Sequence, residues 1–223
     1  MERTLVFDLD GTLVDSVYQH VLAWHGALQR AGIGVSVWRI HRRIGMSGGL
    51  FVERLLRETD TEPRPGLADS LRDAHAEIYN ELDASVTPLP GARALLQELT
   101  DRGVPWAIAT SGALRTAGPV LERLGVPEGV PVVTRDQVPY AKPNPDLFLR
   151  AMEKLRIDPR HGVVVGDSVW DLLAARQAGM LGVGVLSGGY GEDELNRAGA
   201  YRVYEDPEDL RLHLDELCVG RGT

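Results

Sequence analysis

The chain is poor in the residues that build covalent staples and membrane anchors. Its 223 residues include one cysteine, Cys218. No intrachain disulfide can form, and no thiolate zinc site has enough ligands. Cys218 reads as a packing or surface residue rather than a nucleophile. No apolar run approaches the ~18–20 residues that cross a bilayer. No basic stretch precedes a long apolar segment, so no secretory leader is visible. A cytoplasmic location with no membrane partner is the expectation. There is no internal repeat and no low-complexity tract. Positive charge is scarce, with a formal net charge of −8. That argues against a nucleic-acid partner, although a local field can still favour an anionic substrate. Lysine is nearly missing: only Lys142 and Lys154 occur, and none precedes residue 142.

What is present suits one large domain, or a core with an insertion. Hydrophobic residues at 43% and charged residues at 25% are ordinary globular values. Short β-rich runs recur at Thr4–Leu9, Pro105–Ala109, Val130–Thr134, Gly162–Val165, Leu181–Leu186 and Tyr201–Tyr204. Amphipathic stretches separate the later ones, at Ala92–Arg102, Leu114–Leu124, Pro145–Leu155, Val169–Ala178 and Pro207–Leu217. This alternation predicts βαβ units and an α/β fold with a mostly parallel, Rossmann-like sheet. The strand cores are nearly continuous Val, Ile and Ala, as expected when helices cover both faces. Gly103, Gly125 and Gly179 follow helical patterns and suit C-caps.

The rhythm breaks between the first strand and Pro88-Leu89-Pro90-Gly91. Ser16–Ala31, Val37–Ile44, Gly49–Glu58 and Leu67–Asp83 read as helices, with a loop over residues 61–66. The expected organisation is an α/β core of residues 1–14 and 88–223 with an all-helical insertion at 15–87. An insertion that springs from beside a candidate active-site strand suits a lid.

Chemistry concentrates in four segments. In Asp8-Leu9-Asp10-Gly11-Thr12 an apolar run ends in two aspartates. If the strand continues through them, alternation points both the same way at its C-terminal end, where open α/β sheets place ligands. Two adjacent carboxylates repel unless a cation lies between them or one holds a proton. Gly11 permits a sharp turn just beyond. In Gly166-Asp167-Ser168-Val169-Trp170-Asp171 a second buried strand ends in an acid, with another four residues on. A helix starting near Ser168 places Asp171 in its first turn, where it faces the same crevice or merely favours the helix N-terminus. Oxygen ligands without Cys or His suit Mg²⁺. Thr110-Ser111-Gly112 ends a strand in hydroxyls that can bind phosphate oxygens. Lys142, fixed in Lys142-Pro143-Asn144-Pro145, suits a defined electrostatic task.

Together, and in this order, these segments resemble the haloacid dehalogenase superfamily over essentially the whole chain. The resemblance extends to its phosphoglycolate-phosphatase and β-phosphoglucomutase-like group with a helical cap. It implies that Asp8 is the nucleophile, Asp10 the general acid/base and Lys142 the lysine steadying nucleophile and phosphoryl group. Thr110, with Ser111, matches the phosphate-binding hydroxyls. Asp8, Asp10, Asp167 and Asp171 match the Mg²⁺ site. In the cap, Arg43 and Gly45 of the turn Gly45-Met46-Ser47-Gly48-Gly49 resemble substrate-contacting positions. His41 and Arg42 read as a solvated face, and Trp24 as core.

Asp10 argues against a dehalogenase, which needs neither a second aspartate nor Mg²⁺. The lack of a cap lysine argues against a phosphonoacetaldehyde hydrolase. A β-phosphoglucomutase-like mutase is the alternative reading, weakened by Gly48 where that pattern carries a sugar-phosphate-binding arginine. A non-catalytic binding protein with this fold would not need all the acids and Lys142 intact. The resemblance therefore implies a Mg²⁺-dependent phosphomonoesterase acting on a small phosphorylated metabolite through an aspartyl-phosphate. A monomer or homodimer is expected.

Overall fold

The computed structural model describes residues 3–59, 62 and 64–217. Cys218 lies outside them, as do Thr61 and Pro63 of the loop expected at 61–66. The strands are β1 (Thr4–Phe7), β2 (Val14–Asp15), β3 (Thr87–Pro88), β4 (Trp106–Ala109), β5 (Val132–Val133), β6 (Gly162–Gly166), β7 (Leu181–Val185) and β8 (Ala200–Tyr204). Six of them form one sheet in the order β5-β4-β1-β6-β7-β8. Every neighbouring pair in it is parallel. Counting these six alone in chain order, the sheet runs 3-2-1-4-5-6, the order of doubly wound nucleotide-binding sheets. The order reverses between β1 and β6, so the crevice for a ligand opens at their C-terminal ends.

The helices are α1 (Val17–Arg30), α2 (Val37–His41), α3 (Gly48–Glu58), α4 (Leu67–Leu82), α5 (Ala92–Asp101), α6 (Leu114–Leu124), α7 (Asp146–Leu155), α8 (Val169–Gln177), α9 (Glu192–Ala198) and α10 (Pro207–Leu212). Alternation along the strands divides the core into two layers. Leu5, Phe7, Ile108 and Val165 face leucines of α5, α6 and α10. Val6, Ala107 and Val164 face Phe148 and Met152 of α7 and the alanines of α8. All four residues of β1 are buried, which is why the strands read as continuous apolar runs rather than alternating ones.

The fold is α/β, with an all-helical cap inserted after β1. The chain leaves the sheet layer through β2 and returns through β3. These two short strands pair antiparallel, with Val14 opposite Pro88 and Asp15 opposite Thr87. Between them α1 to α4 bury their own cluster, including Val21, Leu28, Ile40, Phe51 and Leu55.

Several boundaries differ from the sequence pattern. β1 stops at Phe7 rather than Leu9. Asp8 still donates its N–H to the Val165 carbonyl at 2.8 Å, and then Leu9 accepts from Leu13 as the chain turns. Gly11 takes φ +80° in that turn. The expected α2 ends at His41, three residues early. The last helix stops at Leu212 and continues as a 3₁₀ turn over Leu214–Leu217. Helix α9 has no counterpart in the sequence reading. It is seven residues long and buries only Leu195 and Ala198, too little for a helical period to register.

Strand β7 shows how closely helices seat on the sheet. A Cβ on Gly182 would lie 2.9 Å from the Leu172 side chain, and one on Gly184 would lie 2.9 Å from Leu195. Gly184→Val is therefore expected to overpack this layer and cost about 1–3 kcal/mol. A urea midpoint lowered at unchanged slope would report it; an unchanged midpoint would refute the packing argument.

Candidate active site

Three buried carboxylates and one buried ammonium meet where β1 and β6 end. Asp8 follows β1 directly and Asp167 follows β6 directly. Asp171 sits in the first turn of α8, whose N-cap is Ser168. Carboxylate oxygens of Asp8, Asp167 and Asp171 lie within 4.8 Å of one another. Lys142 Nζ contacts Asp8 Oδ1 and lies 2.7 Å from Asp171 Oδ1. Asp171 thus does both things the sequence allowed. Its Oδ2 accepts from the Ser168 N–H at 3.1 Å and hydroxyl at 2.5 Å, which caps the helix. Its Oδ1 faces Lys142.

The charges of this cluster do not balance, since one cation faces three acids. Burial pushes the Asp8 carboxyl up to about 7, aided by repulsion from Asp171 and Asp10 and opposed by Lys142. Burial, then repulsion from Asp171 and Asp8, drives Asp167 well above the ordinary carboxylate range. Burial works against the Lys142 charge, yet Asp171 and Asp8 outweigh it and raise that group above its usual value. Such a cluster calls for a second cation or for protons. The donors are all carboxylate oxygens, which fit Mg²⁺ rather than a soft metal. Asp167 reaches its place because two neighbours lack side chains. A Cβ on Gly188 would lie 1.8 Å from Asp167 Oδ2, and one on Gly11 would lie 2.6 Å from it. Thr12 Oγ1 donates to Asp167 Oδ1 at 3.1 Å.

Asp10 stands apart from this cluster, although the sequence pattern grouped it with the metal ligands. Its carboxylate turns toward the cap. Oδ1 accepts from Ser16 Oγ at 2.7 Å and pairs with His20 Nε2 at 3.1 Å. Oδ2 accepts from Thr110 Oγ1 at 3.3 Å. Burial would raise the Asp10 carboxyl, but the His20 ring, the Ser16 hydroxyl and Lys142 prevail and lower it to about 2. Asp8 and Asp10 therefore work in different surroundings, one beside a buried acid cluster and one on a histidine. The alternation argument missed this because the strand ends before either residue.

Both aspartates and Lys142 open onto a cavity of about 690 Å³ between sheet and cap. Thr110 is buried on its floor, where its hydroxyl also accepts the Gly112 N–H at 2.9 Å. Ser111 lines the cavity too, but its hydroxyl donates across to the Gly45 carbonyl at 3.0 Å. Gly45 takes φ +92° with Ser168 and Trp170 packed beside it. Arg43 is on the wall and pairs with Glu58. Ser47 caps α3 and donates its N–H to the Lys142 carbonyl at 3.1 Å. Met46 and Trp24 supply apolar wall while remaining mostly buried.

Two cap residues read as solvated are half-buried against the core. His41 Nε2 pairs with the Gly188 carbonyl at 2.8 Å. Arg42 pairs with Glu194 and lies 4.1 Å over the Tyr190 ring. Sequence reasoning missed His20, His75, Arg72, Arg115 and Arg135, which all line the cavity. For His20 a signal existed, since it interrupts the apolar stripe Val17, Val21, Trp24, Leu28 of α1. His20 Nδ1 lies 3.1 Å from His75 Nε2, and burial pushes His75 well below the usual histidine range.

Among the described residues Lys142 is the one basic side chain in contact with the acid cluster, and removing it exposes the imbalance. In chelator, Asp8 binds its proton in the folded state up to about 7 against an ordinary 3.8. The folded state then holds more protons than the unfolded one, so this group's contribution to stability falls as pH rises across that window. Lys142→Met should steepen the fall and cost about 3–5 kcal/mol at the upper end. Melting curves of both proteins across that window test this; parallel pH profiles would refute it.

The comparisons with known proteins agree with this geometry. A model of the haloacid dehalogenase-like hydrolases matches residues 2–179. A phosphoglycolate phosphatase of Agrobacterium fabrum is 30% identical over 221 residues, covering 98% of this chain and 94% of that protein. Hexitol phosphatase A of Escherichia coli is 34% identical over 179 residues, covering 79% of this chain and 80% of that protein. The crystal structure of a hydrolase from Pseudomonas syringae is 50% identical with a TM-score of 0.94, covering 96% of this chain and 99% of that one. With the acids of β1 and β6, the intervening cap and a match over most of its length, the chain belongs to the haloacid dehalogenase-like hydrolases, in their phosphoglycolate-phosphatase and β-phosphoglucomutase-like group.

Proposed function

We propose that this phosphatase of the haloacid dehalogenase-like family is Mg²⁺-dependent and hydrolyses a small phosphorylated metabolite through an aspartyl-phosphate on Asp8. The observation that carries the reading is the pairing of Asp8 with Lys142 beside two further buried acids, with Asp10 held separately on the same cavity. Asp8, Asp167 and Asp171 would hold the ion. Bound there, Mg²⁺ would neutralise charge between an anionic nucleophile and an anionic substrate. Residues 15–87 act in this reading as the cap that closes over the substrate.

The residues divide the work. Asp8 attacks phosphorus in line, forming an Asp8–phosphorus bond as the bond to the leaving oxygen breaks. Lys142 steadies the Asp8 carboxylate. Thr110, and Ser111 beside it, take the phosphoryl oxygens. Asp10 gives a proton to the leaving oxygen, and in the second step takes one from the water that attacks the intermediate. To act as an acid Asp10 must first hold that proton. An arriving phosphate dianion opposes the pull of His20 and raises the group's proton affinity. Arg43 and Gly45 close the substrate side of the cavity. Water is the acceptor in this reading rather than a second sugar hydroxyl. The cap has no lysine, and Gly48 stands where the mutase pattern carries a gripping arginine.

Phosphate release from a panel of phosphorylated metabolites tests the reading. Turnover should require Mg²⁺, fail with Ca²⁺, whose oxygen bonds are longer and more numerous, and vanish in Asp8→Asn. Full activity after chelation would reject the metal, and turnover by Asp8→Asn would reject the nucleophile.

Asp10→Asn should slow alkyl phosphates by about 10²–10⁴. It should slow p-nitrophenyl phosphate much less, since that leaving group needs little protonation. Equal losses on both esters would count against Asp10 as the acid.

A further inference from the structure

Behind Asp10 the cap carries a second histidine that the proposed mechanism leaves unused. His20 reaches Asp10 from α1, and His75 stands behind it on α4, so three side chains form a line. Asp10 Oδ1 lies 3.1 Å from His20 Nε2, and His20 Nδ1 lies 3.1 Å from His75 Nε2. Aromatic faces fix both rings. Tyr79, one turn on from His75 in α4, stacks on His20 with ring centres 4.0 Å apart and planes 7° apart. Trp24 stacks on His75 at 4.3 Å. The two helices approach closely because α1 carries Gly26 where it faces α4; a Cβ there would lie 2.9 Å from the Ile78 side chain. Both histidines are buried at the edge of the cavity.

Hydrogen-bond polarity runs along this line. An ionised carboxylate only accepts, so His20 must turn an N–H at Nε2 toward Asp10. A neutral imidazole has one N–H. With that proton at Nε2, its Nδ1 is an acceptor and requires a donor. A charged imidazole donates from Nδ1 instead and requires an acceptor. Among the described residues His75 Nε2 is the one side-chain partner of His20 Nδ1. A neutral His75 meets either need, because its own proton can sit on Nε2 or on Nδ1. Burial, and then the neighbouring His20, push His75 well below the usual histidine range and keep it neutral.

The consequence falls on Asp10. Its Oδ1 is committed to Ser16 and His20. That leaves Oδ2, on the side of Thr110 and Gly112, as the oxygen free to exchange a proton with a substrate. Were His20 to hold its proton at Nδ1, a bare Nε2 would meet Oδ1. A proton on Asp10 would then be drawn to Oδ1, toward His20 and away from the leaving oxygen.

We infer that His75 is a positioning residue for proton transfer: its bond to Nδ1 keeps the His20 N–H at Nε2, and so keeps Oδ2 the proton-donating oxygen of Asp10. This rests on the reading of Asp10 as the acid/base and adds to it a residue that acts through His20.

Two esters and a ring signature test this. His75→Phe keeps a ring for Trp24 to stack on and removes both nitrogens. It should lower kcat on an alkyl phosphate by about tenfold or more, within the range of acid/base contributions, and lower kcat on p-nitrophenyl phosphate much less. A purely structural loss would reduce both alike. His75→Gln has an amide that reaches as far as Nε2 and can donate or accept, so it should restore most of the alkyl rate. If His75→Phe fails to fold, His75→Asn makes the same comparison, since its amide stops short of His20. Equal losses on both esters, or a glutamine variant no better than the variant lacking the contact, would overturn the inference. Nitrogen-15 NMR of the histidine rings reads the tautomer without turnover. The proton should sit on His20 Nε2 in the unaltered protein and in His75→Gln, with the Nδ1-protonated form appearing once the contact is lost. A His20 signature identical in all of them rejects the inference. Asp10→Asn separates it from the reading beneath it. If that variant slows both esters equally, or if no ester in a broad panel is turned over, the acid role of Asp10 falls, and the ring signature alone decides whether His75 sets the His20 tautomer.

Discussion

Everything at this site depends on keeping one ammonium and three carboxylates out of water together. Lys142 is wholly buried, and Asp8, Asp167 and Asp171 are buried with it. Desolvation alone would discharge each of them. Lys142 retains its charge because Asp8 and Asp171 face it. Among the described residues the acids have only that one cation between them, and burial with mutual repulsion leaves Asp8 and Asp167 with raised proton affinity. The site is thus built as an electrostatic deficit, and a deficit of that sign attracts a divalent cation. It also explains the local architecture. Asp8 and Asp167 stand at the tips of adjacent parallel strands, β1 and β6, which places their carboxylates side by side without any loop having to be ordered for the purpose.

The neighbouring Asp10 illustrates how two carboxylates two residues apart acquire different characters. Asp8 is governed by burial among acids, Asp10 by a histidine and a serine from the start of the cap. Separation of surroundings is what the proposed division between nucleophile and proton carrier requires. Two of the partners of Asp10, His20 and Ser16, come from α1 and the residue just before it, and the third, Thr110, comes from the core, so its surroundings join cap and core. Contacts between cap and core follow the same logic. Ser47 meets Lys142, Ser111 meets Gly45, and Arg42 meets Glu194. Cap residues therefore lie directly against the Lys142 and Ser111 segments of the core.

Much of this was legible before any coordinates. The βαβ rhythm, the helical interruption, and the placing of Asp8, Asp167, Thr110 and Lys142 at strand ends or in a constrained loop all follow from local pattern. The buried strands read as apolar runs because helices cover both faces, and the acids stand out because they end those runs. Helix α9 escaped because its apolar content is two residues. The strand limit at Phe7 escaped because the chain keeps a ladder-like hydrogen bond at Asp8 and turns only at Leu9, whose carbonyl accepts from Leu13. His20 was visible as a polar break in an apolar stripe, yet nothing in the stripe says what lies opposite it.

The sequence by itself determined the identity of the reactive groups and the order in which the chain presents them, because strand ends, glycine turns and capping residues are properties of a few consecutive positions. Only the tertiary structure decided which of those groups share a charge and which are kept apart. Asp171 both caps its helix and faces Lys142, a dual role that sequence left as two alternatives. Asp10 leaves the acid cluster for His20. The reason is physical: electrostatic character depends on distance and on exclusion of water, and both are set by residues remote in the chain that packing brings together.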